Sequence, residues 1–180
     1  MVRRVPSKSP EAALKENALY TTSKEALETV FRSLGQCEIE VTATKITEKA
    51  KTWLDDAALY FLRVEKQLPD LLGHFSPDAP KQLPYGLYEG VIVAEVKKQQ
   101  LTVRHLCQTK IYAEVFDAVR AFLISPSKMT EEVRRFLSKR SLMLSYGAYH
   151  KVYIARLNAD PATPRDNRLI DWYPENPFKP

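Results

Sequence analysis

The sequence predicts an α+β domain, with a long amphipathic helix and shorter helices packed on a small antiparallel sheet and with extended N- and C-terminal tails. Three patterns lead there. Apolar residues recur at spacings of three and four from about Thr44 to Leu68. Apolar and polar residues alternate between Cys37 and Thr42, and β-branched runs stand at Val91–Val93 and Val152–Ile154. A mostly α fold is the alternative, because Leu142, Tyr146, Tyr149, Tyr153 and Leu157 also step like a helical face.

Taken in order, residues 1–21 read as an extended arm with at most a turn or two of helix around Glu11–Leu19. Thr22, followed three residues later by Glu25, fits a capping box for a helix that stops at Gly35. Ala26, Leu27, Val30, Phe31 and Leu34 form its apolar face. Cys37, Ile39 and Val41 then alternate with Glu38, Glu40 and Thr42, as in a strand with one wet face. Ile46, Ala50, Trp53, Ala57, Phe61, Val64 and Leu68 predict one helix of about six turns, weakening at Pro69. Three prolines and two glycines make residues 73–86 a loop.

Beyond that loop, Leu101, Val103, His105 and Cys107 alternate with Thr102, Arg104 and Gln108, so they are expected to pair in a hairpin with Val91–Val93, turning near Lys97–Gln100. A helix is expected over Lys110–Ile124, broken at Ser125-Pro126, and another from Thr130 to roughly Arg140. Leu142–Leu157 reads as strands. Residues 159–180 hold five prolines and few periodic apolar residues, the composition of an extended tail. The division is therefore an N-terminal arm (1–21), a single α+β domain (22–158) containing the Pro-rich loop 73–86, and a Pro-rich tail (159–180).

The net charge of +5 is unevenly spread. Residues 11–96 hold nine basic and fourteen acidic side chains, whereas residues 97–158 hold twelve basic and four acidic. Such asymmetry steers an anionic partner to one side of a molecule. Arg104, Lys110, Arg134, Arg135, Lys139, Arg140, Lys151 and Arg156 are the candidate phosphate contacts, with Tyr112, Tyr146, Tyr149 and Tyr153 interleaved as stacking rings. Trp172, Tyr173 and Phe178 are candidates for a protein interface, unless the tail folds back and hides Trp172 in its own domain.

Signals for catalysis are few. Metal donors are limited to His74, His105 and His150 with Cys37 and Cys107, and His105-x-Cys107 shares a strand face with Leu101 and Val103, so no metal and no cofactor are expected. There is no Gly-x-Ser-x-Gly elbow, Gly-rich phosphate loop or dinucleotide fingerprint. Asp55 and Asp56 point about 100° apart on a helix, a poor start for paired acid–base work.

The expected function is therefore a non-catalytic, basic accessory or structural subunit of a larger assembly. It would contact nucleic acid (DNA or RNA) or an acidic protein surface through residues 97–158, and other subunits through its termini. The alternatives are a protein-docking subunit of an organellar or membrane-associated complex, and a small enzyme with an unrecognised site. No apolar run reaches the roughly 20 residues of a membrane span, so no membrane insertion is expected. Two unpaired cysteines and the absence of an apolar leader point to a reducing intracellular compartment, cytoplasm or organellar matrix.

Overall fold

Buried strands rather than a hairpin set the architecture. The computed structural model describes residues 10–78, 87–159 and 168–178, with side chains from residue 17 onward. The chain runs α1 (Pro10–Phe31), β1 (Gly35–Val41), α2 (Glu48–Lys51), α3 (Asp56–Glu65), β2 (Leu71–Pro77) and β3 (Gly90–Val96). It continues through α4 (Val103–Val115), β4 (Arg120–Ser125), α5 (Glu131–Lys139), a 3-10 turn (Ser141–Leu144), β5 (Ser145–Tyr146), β6 (His150–Asn158) and β7 (Arg168–Tyr173).

The described strands form one seven-stranded mixed sheet in the order β1-β2-β3-β4-β6-β5, with β7 also paired to β6. β1, β2 and β3 are antiparallel neighbours; β3, β4 and β6 are parallel; β5 and β7 run antiparallel to β6. Two cores sandwich this sheet. One joins α1 to Ile39, Phe75, Ile92, Phe122 and Leu169; the other joins α2 to α5 with Leu72, Val93, Leu123 and Ile154.

The expected small antiparallel sheet is thus corrected to a large mixed one, and the reasons are local. The segment Leu101–Cys107, read as a strand from its alternation, belongs to helix α4 and the loop before it. Thr102 caps α4 by accepting from the His105 N–H at 3.4 Å, while the His105 ring accepts the Thr102 N–H at 3.3 Å. A helix between β3 and β4 lets the two strands run parallel. The second half of the expected helix 110–124 is strand β4, whose six residues are all buried. A strand covered on both faces loses its polar alternation and reads as a plain apolar run.

Two further boundaries move. The expected six-turn helix is divided at Asp55, whose carboxylate accepts from the Ala58 N–H at 2.8 Å and starts α3 afresh, while Thr47 caps α2. Thr22 is inside α1 rather than at its start, and its hydroxyl donates to the Ala18 carbonyl at 2.9 Å. Part of the expected Pro-rich loop is β2, and Gly73 is needed there, because a Cβ would stand 2.7 Å from the Glu38 carbonyl oxygen on β1.

Residues 1–9 of the expected arm, 79–86 of the loop, and 160–167 with 179–180 of the tail lie outside the described residues. The described part of the tail is not extended away: it adds β7 to the sheet, and Phe178 packs on Phe31 with ring centroids 4.9 Å apart. No described helix is long and apolar enough to cross a membrane.

Cys37 on β1 is half-buried beside α1, and its thiol is pushed up to about 12 by burial, then by the Glu28 and Glu38 carboxylates. Iodoacetamide near pH 8 is accordingly expected to label Cys37 slowly in the folded protein and readily in denaturant. Because folding raises this pKa from 9.0, the native state holds the proton more tightly, so stability should decline as pH climbs from about 9 towards 12. Equal labelling rates folded and unfolded would contradict the assignment.

Candidate active site

The register of the sheet brings two acids together. Leu71 on β2 faces Ala94 on β3, so Asp70, one residue before β2, stands beside Glu95. Val93 belongs to the core on the α4 side, and side chains two apart on a strand share a face, so Glu95 and Lys97 point to that side too. This is the end of the sheet from which the parallel strands β3, β4 and β6 leave, where open α/β sheets place their ligands.

Local bonding fixes the group. The Asp70 carboxylate accepts the Val96 N–H at 2.8 Å and is 3.5 Å from the Lys97 ammonium. Lys97 also donates to Glu95 Oε2, and its own backbone N–H donates to the Ile124 carbonyl at 2.8 Å. The Asp70 carbonyl accepts from Thr42, whose hydroxyl donates to the Pro69 carbonyl at 2.6 Å, so the chain entering β2 is held on both sides. Glu95 is 1% exposed and Asp70 9%. The Lys97 side chain keeps 21% of its surface and marks the way out to solvent.

The electrostatics are those of two buried acids sharing one cation. Burial first, and then the Asp70 charge, raise the Glu95 carboxyl well above the ordinary carboxylate range, although Lys97 opposes both. Burial works against the Lys97 charge, but the Glu95 and Asp70 carboxylates outweigh it and hold its pKa above the usual value. Glu95 Oε1 is buried and, among the described residues, has no hydrogen-bond partner. A buried carboxyl oxygen left without a partner is costly, a cost that a bound water or ion offsets.

Helix α4 covers the group. Gln108 Nε2 donates to Tyr112 Oη at 3.4 Å, and the buried Tyr112 has its pKa raised by desolvation, with Glu95 adding to the rise. His105 has its pKa lowered by burial, then by Lys97 and Arg104. The ring is therefore neutral at pH 7, as its role as acceptor in the α4 cap requires.

The eight sequence-predicted cations do not form one patch. Arg104 is exposed on the first turn of α4, near enough to lower the His105 pKa together with Lys97. Arg134 on α5 lies over the Tyr173 ring at 5.4 Å and lines one small cleft with Lys128, Arg156 and Asp171. Lys128, Arg134 and Arg156 share that cleft beside the end of β6, while Arg104 stands on the helix that leaves the end of β3. Lys110 is half-buried farther along α4, and the exposed Arg135, Lys139 and Arg140 follow α5 away from that end. Lys151 is at the opposite end of β6 and pairs with Glu175 at 3.3 Å, while Arg156 Nε donates to Asp171 at 2.7 Å.

The candidate interface aromatics make contacts within the chain. Trp172 packs on Phe122 and Phe178, with centroids 6.1 and 5.7 Å away; Phe178 also meets Phe31, and Tyr173 joins the core on the α4 side.

Sequence reasoning missed Asp70, Glu95 and Lys97, although a signal was present. Glu95 interrupts the apolar run Val91–Val96, and Glu-x-Lys spacing puts both groups on one strand face. With Lys97–Gln100 read as a hairpin tip, charges there looked ordinary. Among the described residues no group of three or more His, Cys, Asp and Glu side chains is placed to hold a metal ion. Magnesium asks for less, since it is commonly bound by one or two carboxylates together with water and substrate phosphate. Comparison of this chain with protein-family models, curated proteins and solved structures finds no match.

Proposed function

We propose that this protein is a metal-dependent phosphodiesterase acting on nucleic acid, with Asp70, Glu95 and Lys97 at its centre. This reading selects the enzyme among the sequence-based alternatives and retains the polyanionic partner. The observation that carries it is the buried Glu95 carboxyl, beside Asp70 at the carboxyl end of the parallel strands, with one oxygen unpartnered and the Lys97 ammonium bonded to both acids.

The division of labour follows from charge. Asp70 and Glu95 would supply oxygens to one divalent cation, which when bound neutralises phosphate and acidifies a coordinated water. Lys97, kept protonated by the two acids, is suited to stabilising negative charge on the phosphoryl oxygens rather than to taking a proton. In the hydrolysis, water would add to phosphorus and lose a proton to solvent, the P–O ester bond would break, and the departing oxygen would take a proton from solvent. Arg104 and the cations around Arg134 would hold the flanking backbone. The non-catalytic accessory reading uses the same cations but gives the Asp70–Glu95 pair no task.

Metal-stripped protein incubated with labelled single- and double-stranded oligonucleotides provides the test. Cleavage is expected with magnesium or manganese and none with chelator. Salt-sensitive binding without cleavage under either metal would return the protein to the accessory class.

A further inference from the structure

The parallel strands carry the active-site row farther than the acidic pair. Val96 faces Ile124 and Ser125 faces Arg156, so Lys97, Ser125 and Arg156 occupy one level on β3, β4 and β6. Ile154 lies in the core on the α4 side, and the alternation along β6 turns Arg156 to that same face. With neighbouring strands about 4.8 Å apart, the Lys97 and Arg156 backbones are separated by about 10 Å. Between them the buried Ser125 hydroxyl donates to the Gln99 carbonyl at 3.1 Å and accepts the Ser127 N–H at 3.0 Å, tying both flanking loops to the row.

Arg156 is set in place rather than left to roam. Its Nε donates to Asp171, which adopts the left-handed backbone conformation (φ 52°), while the β6–β7 register shifts between Ile154 and Arg156. A non-glycine residue held in that conformation costs free energy and persists where its surroundings demand it. The bond occupies one donor of a five-donor guanidinium fork, and the remaining donors match phosphate. Arg134 and Lys128 line the same cleft, so three cations outweigh the single Asp171 carboxylate.

We infer that Arg156, oriented by Asp171 and backed by Arg134 and Lys128, is a positioning residue that receives a second phosphate next to the one cleaved. The substrate is then a polynucleotide strand rather than an isolated phosphodiester. This rests on the proposed function, which supplies the first phosphate.

The experiment compares bis(p-nitrophenyl) phosphate, which has a single phosphate, with a labelled oligonucleotide. Wild type, Arg156→Ala and Arg156→Lys are assayed, each checked by circular dichroism and thermal melting. Arg156→Ala is expected to lower kcat/KM about 10- to 100-fold more on the oligonucleotide than on the simple diester, mainly through KM, with Arg156→Lys recovering part. The salt slope of oligonucleotide binding should fall by about one. Equal losses on both substrates would overturn the inference. If wild type hydrolyses neither, the proposed function falls, and oligonucleotide binding by Arg156→Ala as tight and salt-sensitive as wild type would overturn the inference as well.

Discussion

Glu95→Gln is expected to lower phosphodiester cleavage about a thousandfold or more while leaving the protein at least as heat-stable as wild type. The two effects have one origin. Glu95 is 1% exposed, faces Asp70 and leaves Oε1 unpartnered, so its charge is held at a cost. Glutamine keeps the shape and removes the charge. Removing one member of a buried ion pair ordinarily strands the other, but Lys97 retains Asp70 at 3.5 Å and has access to water. Binding sites built on such costs commonly gain stability when disarmed. A thousandfold loss corresponds to about 4 kcal/mol of transition-state stabilisation, within what one metal-binding carboxylate supplies.

The pH dependence follows the same residue. Folding raises the Glu95 pKa above its unfolded value of about 4.3, so native metal-free protein binds that proton more tightly than the unfolded chain does. Its contribution to stability is present below about pH 4.3 and is lost as pH rises through the native value. Wild type and Glu95→Gln melting curves should therefore diverge in the variant's favour as pH increases. Substantial cleavage by the variant would remove Glu95 from the centre. A large drop in Tm at every pH would make the residue structural instead.

Phe122→Ala is the second large effect, with an expected loss of about 3–5 kcal/mol in denaturant unfolding. The Phe122 ring is fully buried in β4 and lies among Phe31, Tyr153, Trp172 and Phe178, at centroid distances of 6.0 to 6.3 Å. Those four rings belong to α1, β6, β7 and the segment after β7, so no single rearrangement can fill the space left behind. Separate anchoring of its walls keeps a cavity open, and the cost of truncation grows with the volume that remains. A loss below about 1 kcal/mol would mean that the C-terminal segment packs more loosely than these contacts indicate.

How far the sequence disclosed this depended on whether an element had a wet face. β1 was legible because Glu38 and Glu40 alternate with Cys37 and Ile39, and α5 because Thr130 and two acids announce its start. α4 was misread because its buried side carries Thr109 and Tyr112 among apolar residues, and β4 because both its faces are covered. The same error hid the proposed centre. With Leu101–Cys107 as the return strand of a hairpin, Glu95 and Lys97 fall beside a surface turn. Asp70 then had no visible neighbour, because pairing between β2 and β3 joins residues far apart in sequence. The cations were visible as composition, but their segregation between the two ends of β6 depends on strand direction.

The pairing of β7 with β6 has a consequence for any shortened form of this polypeptide. A chain stopped before residue 168 bares the backbone of β6 from Ile154 to Asn158 and uncovers the Phe122 ring, leaving an adhesive margin of unpaired amides beside exposed aromatic surface. Such fragments would clump with one another or attract chaperones. Quality control would thus recognise an interrupted product by its unfinished border, even with every residue of the acidic pair in place.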